Sequence, residues 1–175
     1  MTVHWRRLAE GAASVAALCS FGIAAQPAGR PTVLEFEPVS VSIEAKSIAQ
    51  HSCCVRGQAG LISTANEGFN SNAGFVITPE GVVVFDMLGT PALGQRLVEL
   101  ITTQTTLPVR HIVISHCHED HFHGLQAFAR MGVDIWAHEL VRDHRAGEAP
   151  AARLAERRES LTPSVNLTEA WMPLA

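Results

Sequence analysis

The chain has 175 residues, enough for one domain, and 47% hydrophobic against 17% charged residues excludes an intrinsically disordered polypeptide. A formal net charge of −4 excludes a basic nucleic-acid-binding surface as a bulk property. Nine histidines are the unusual feature of the composition.

In chain order, Arg6 and Arg7 precede an apolar stretch from Gly11 to Ala25 that ends on small residues. Positive flank, short apolar run and small cleavage site predict a secretory signal over 1–25, cut after Ala25. The run is roughly 15 residues, short of the ~18 a spanning helix needs, so the product is expected to be periplasmic or secreted and off the membrane. The alternative is a buried amphipathic helix. Removal of Arg6, Arg7 and Glu10 takes the mature charge to −5. Cys53, Cys54 and Cys117 remain, an odd number without a disulfide framework. The adjacent pair, Cys53 and Cys54, is expected to act as small buried hydrophobes.

Residues 26–50 form a lead-in, with Val39–Ile43 alternating like a strand. Gly57–Ser71 reads as loop. Gly74–Ile77 and Val82–Phe85 flank a Thr-Pro-Glu-Gly turn and predict a hairpin. Asp86 ends its second strand. It is either a turn residue or an acceptor for a hydrogen bond from a later loop. Thr90-Pro91 opens a helix striped by Leu93, Leu97, Leu100 and Ile101, closed before Pro108. His111–Ser115 predicts a buried strand, His121–Met131 a helix and Val133–Ala137 a further strand. A charged, Ala-rich helical stretch runs to Ser160, and residues 161–175 form an irregular tail. The expected class is α/β with a mixed sheet and flanking helices, its domain spanning 51–160.

Five of the nine histidines fall between His111 and His123. In the extended segment leaving the strand, His116 and His118 point the same way and can share a metal, while Cys117 points elsewhere. Asp120 and His121, where the chain turns into the next helix, can face a second metal. Neutral imidazoles and a carboxylate suit zinc, although iron or manganese would accept them. Two such metals would hold a shared hydroxide and polarise a substrate oxygen. Asp120 is a candidate catalytic residue, able to orient that hydroxide or move its proton. A chance His-rich surface loop is the competing interpretation, and H-x-H-x-D-H on a strand-to-helix loop weighs against it.

His116-x-His118-x-Asp120-His121 resembles the signature of the metallo-β-lactamase fold superfamily. The resemblance runs from about Gly57 to His138 and includes Asn72–Ile77, Gly81–Asp86, Thr90-Pro91 with its helix, and Asp134–His138. Within the superfamily the chain looks most like exported bacterial metallo-hydrolases associated with sulfur-oxidation and quinoprotein systems. The resemblance implies an αββα sandwich and two zinc ions, His116 and His118 serving one and Asp120 and His121 the other. It also implies attack of a metal-bound hydroxide on a β-lactam, ester or thioester carbonyl of a small-molecule substrate. The later ligands and the second sheet are not found after His138, where His144 is the only histidine. His123 and His138 are candidate substitutes, but His123 is expected to point away, and His138 and His111 to be structural. The expectation is therefore the N-terminal half of the sandwich, a truncated hydrolase inactive alone or completed by dimerisation. The alternative is a non-catalytic metal-binding protein.

Overall fold

The computed structural model describes residues 2–5, 36, 38–138, 141, 152, 155 and 156. Most of the expected signal, the early lead-in, most of the charged stretch after His138 and the tail lie outside them. Among the described residues seven strands form one mixed sheet: β1 Thr2–Trp5, β2 Ala45–Ala49, β3 Ser52–Val55, β4 Ala73–Thr78, β5 Gly81–Phe85, β6 Val109–Val113 and β7 Asp134–His138. Their order across the sheet is β1-β7-β6-β5-β4-β3-β2. From β2 to β5 the strands meander antiparallel, β5, β6 and β7 run parallel, and β1 pairs antiparallel with β7. One α-helix, α1 Pro91–Gln104, connects β5 to β6. The α/β class with a mixed sheet is as expected.

The hairpin forms where the turn residues place it. The Thr78 hydroxyl donates to the Gly81 carbonyl at 2.8 Å and accepts from the Glu80 N–H. Gly81 has φ +139°, and a Cβ there would lie 2.6 Å from the Pro108 carbonyl oxygen, so glycine is required. Val82 and Val84 are fully buried and Val83 is not, the two-residue alternation of a strand. At α1 the Thr90 hydroxyl accepts from the Leu93 N–H at 3.2 Å, and Pro91 occupies the first turn, where no N–H is needed. Leu93, Leu97, Leu100 and Ile101 enter the core with Val82, Val84 and Ile112.

Three expectations need correction. Val39–Ile43 is not a strand. Its alternation survives in burial, Ile43 being inside, but the Ser40 N–H and hydroxyl bond the Glu67 carboxylate instead of a ladder partner. The strand pairing on this side belongs to β2 and β3. The strand expected over His111–Ser115 lies two residues earlier, and only Ile112 in it is buried. The helix expected over His121–Met131 is replaced by two 3₁₀ turns, Glu119–His121 and His123–Phe128. The His121 carbonyl accepts from the Met87 N–H at 2.9 Å, and the Gly124 N–H donates to the Leu88 carbonyl at 3.0 Å. Neither group is left for an α-helical ladder. Gly94 of α1 presses on Gly124, where a Cβ would sit 2.2 Å from the Gly124 carbonyl oxygen. This close approach joins α1 to the histidine-rich segment.

Candidate metal centre

The parallel strands β5 and β6 end side by side, the Asp86 N–H donating to the Val113 carbonyl at 3.0 Å. The chain leaves β5 in the left-handed region at Asp86, φ +56°, and again at the buried Leu88, φ +68°. Aspartate is among the few side chains that tolerate this region. The turn buries Asp86 to 8% exposure and aims it at the loop after β6.

Asp86 then organises that loop. Its Oδ1 accepts the Ser115 N–H at 2.8 Å, and its Oδ2 accepts the Ser115 hydroxyl at 2.7 Å. The same Oδ2 lies 2.8 Å from His121 Nδ1. A carboxylate only accepts, so His121 carries its proton on Nδ1 and keeps the Nε2 lone pair free. Ser115 has one hydroxyl hydrogen, already given to Asp86, so its oxygen accepts from His116 Nδ1 at 2.8 Å. His116 is thereby left with a free Nε2 as well. One carboxylate thus sets the tautomer of two histidines, as outer groups around metal sites commonly do.

The His116 ring lies 4.1 Å from that of His121 and 4.6 Å from that of His118, centroid to centroid. Burial, and then the neighbouring His121 and His118 imidazoles, push His116 below the ordinary imidazole range, against the pull of Asp86 and Asp120. That favours the neutral ring a metal requires. Asp120 Oδ2 stands 3.6 Å from His121 Nε2. Two ligands of one tetrahedral zinc, with bonds of ~2.0–2.1 Å, stand roughly 3.3 Å apart. The pair is spaced to hold one ion, and the donor types fit zinc. Among the described residues, however, no group of three His, Cys, Asp or Glu converges as a full ligand set.

His116, His118, Asp120 and His121 are therefore brought to one loop. Cys117 turns away and packs against the core. His123 is buried at 4% exposure with its ring against Phe122. His138 is exposed at the end of β7, and His111 lies beside Asp134 and Trp136. The adjacent cysteines are free; Cys53 is buried and Cys54 half-buried. The sequence pattern assigns no role to Ser115, Ser71 or Asn70. For Ser115 the signal was its place beside the first histidine. The Ser71 hydroxyl, which donates to the Asp120 carbonyl, and the Asn70 amide come from a loop fifty residues away.

The sequence profile described as the Metallo-beta-lactamase superfamily matches residues 66–172. No curated protein matches the chain. Among solved structures, the chain is similar to a double mutant of the sec-alkylsulfatase PisA1 of Pseudomonas sp., at 20% identity and TM-score 0.51, covering 66% of this chain and 18% of that one. It is also similar to the metallo-β-lactamase FIM-1 from Pseudomonas aeruginosa in its mono-zinc form, at 17% identity and TM-score 0.49, covering 69% and 48%. A metallo-β-lactamase from Pontibacter korlensis matches at 24% identity and TM-score 0.48, covering 71% and 52%. The chain spans about half the length of these β-lactamases and less than a fifth of the sulfatase.

Proposed function

The chain belongs to the metallo-β-lactamase superfamily, in general metal-dependent hydrolases, and on that premise we propose a zinc-dependent hydrolase acting on a β-lactam, ester or thioester carbonyl. The observation that carries this reading is the Asp86 network, which frees Nε2 of His116 and of His121 beside Asp120. His116 and His118 hold one zinc in this reading, and Asp120 and His121 the other. Bound zinc supplies Lewis-acid polarisation of the substrate oxygen and a nucleophile at neutral pH.

The chain's own residues supply the rest. Asp86 and Ser115 fix the rings of His121 and His116. Asp120, held at its carbonyl by Ser71, keeps a carboxylate facing the centre, placed to orient a water and take up its proton. With two protein donors per ion where about three are usual, we propose that a second copy of the chain completes the ligand sets. We further propose export to the periplasm or outside the cell, with removal of 1–25; the cut takes away the edge strand β1 and leaves β7 as the edge of a six-stranded sheet.

A second reading is a metal-binding protein without turnover. Donors that come in pairs rather than in threes among the described residues favour it. One experiment separates the two. The chain lacking 1–25 is reconstituted with zinc, metal content is measured, and β-lactam, lactone, thioester and phosphodiester substrates are assayed. Zinc near two equivalents with turnover of a carbonyl substrate supports the hydrolase. Tight zinc without turnover supports the second reading. Less than about a tenth of an equivalent refutes both, since a structural or catalytic zinc site binds at far lower metal concentrations.

A further inference from the structure

We infer that Asn70 is a positioning residue of the metal centre, holding the Asp120 carboxylate at the oxygen that also faces His121; the inference rests on the reading of Asp120 as a metal ligand.

The loop that carries Asn70 is built in advance. Asn66, 6% exposed, accepts on Oδ1 from the N–H groups of Ser63 and Gly68, each at 3.0 Å, and donates from Nδ2 to the Leu61 carbonyl at 2.9 Å. The Phe69 N–H bonds the Asn66 carbonyl at 2.7 Å, the Phe69 carbonyl accepts from Gln58, and the Phe69 ring is buried. The next two residues land on Asp120. The Ser71 hydroxyl donates to the Asp120 carbonyl and fixes its backbone. Asn70 Nδ2 donates to Asp120 Oδ2 at 3.5 Å, the same oxygen that faces His121 Nε2.

The other end of the Asn70 amide supports a role at the centre. Its Oδ1 is buried and has no hydrogen-bond partner among the described residues. Buried acceptors are rarely left so without a functional reason or a missing water. Turning the amide over would set Oδ1 against the Asp120 carboxylate, an unfavourable contact between two acceptors. The amide is therefore locked by Asp120, with its carbonyl presented to a hydrogen-bond donor, a water or an N–H or O–H group, entering beside that carboxylate. A residue with only a scaffold role would be expected to satisfy both ends within the loop, as Asn66 does.

The test uses Co²⁺ as probe on the full chain, following its visible spectrum and the melting temperature of the metal-free protein. Asp120→Ala identifies the equivalent that depends on Asp120. Asn70→Ala is expected to weaken that equivalent by about 10–100-fold, to alter its spectrum, and to leave the other within about twofold. Unchanged affinity and spectrum in Asn70→Ala overturn the inference, whether or not the melting temperature drops. If that variant does not fold, ¹⁵N-asparagine labelling of the unmodified chain decides: the Asn70 side-chain amide must shift as the Asp120-dependent equivalent binds, and an unmoved signal overturns the inference. A chain that binds no Co²⁺ refutes the metal centre and this inference with it. Loss of an equivalent in Asp120→Ala with none of these effects at Asn70 refutes this inference alone.

Discussion

The core under α1 and the loop after β6 are held by different forces. In the core, Val82, Val84, Leu93 and Leu97 are fully excluded from water, and their stabilisation comes from burial, which has no direction. In the loop, His116 and His121 depend on a chain of bonds to a single carboxylate, and the His121 side chain keeps about a fifth of its surface exposed. The first region should tolerate a change of shape if volume is kept. The second should fail on a change of one atom that leaves shape and volume alone.

Four substitutions or conditions would break or sharpen that contrast. Leu97→Ala is expected to cost about 2–5 kcal/mol in denaturant unfolding, against under about 1.5 for the volume-conserving Leu97→Met. Equal losses would show that the core is not the volume-sensitive region described. Asp86→Asn keeps shape and tolerates the left-handed backbone, yet turns an NH2 towards donors that both carboxylate oxygens now serve, and should lower zinc affinity by about 10–100-fold in a competition titration. Retained affinity would mean that the network is idle. Thr90→Ala removes the cap of α1 and should cost about 1 kcal/mol of stability with zinc affinity unaltered, so an affinity loss there would show the two regions to be coupled through Gly94 and Gly124. The smallest effect concerns pH. His116 is held below its ordinary value of 6.5, so the unfolded chain binds more protons as the pH falls. The metal-free protein should keep this contribution above about pH 6.5 and lose it as pH falls through the lower folded value. His116→Gln should flatten that slope in melting curves taken between pH 7 and 5; an unchanged slope would assign it to another group.

Legibility followed the range of the interactions. The hairpin, the capped helix and the four spaced donors are local patterns, each written within a dozen or so residues, and residue order alone is enough to read them. Expectation and fold part company where a distant partner overrides the local preference. Ser40 gives its N–H to Glu67 rather than to a ladder, and the His121 carbonyl accepts from Met87 rather than from a helix. Asn70 and Ser71 are invisible in the sequence because nothing near them announces a partner at Asp120. Asp86 is half legible: its place at a strand end suggests an acceptor, but not that it serves two histidines.

By itself the sequence determined the class of fold, the superfamily signature and which four residues are candidate donors, because residue type and period act locally. The tertiary structure alone decided their tautomers and companions. Only when β5 and β6 end side by side does Asp86 reach Ser115 and His121, and only when the loop before β4 folds back does Asn70 reach Asp120. Direction and protonation at a site are set by groups the chain brings from afar, and no spacing rule encodes them.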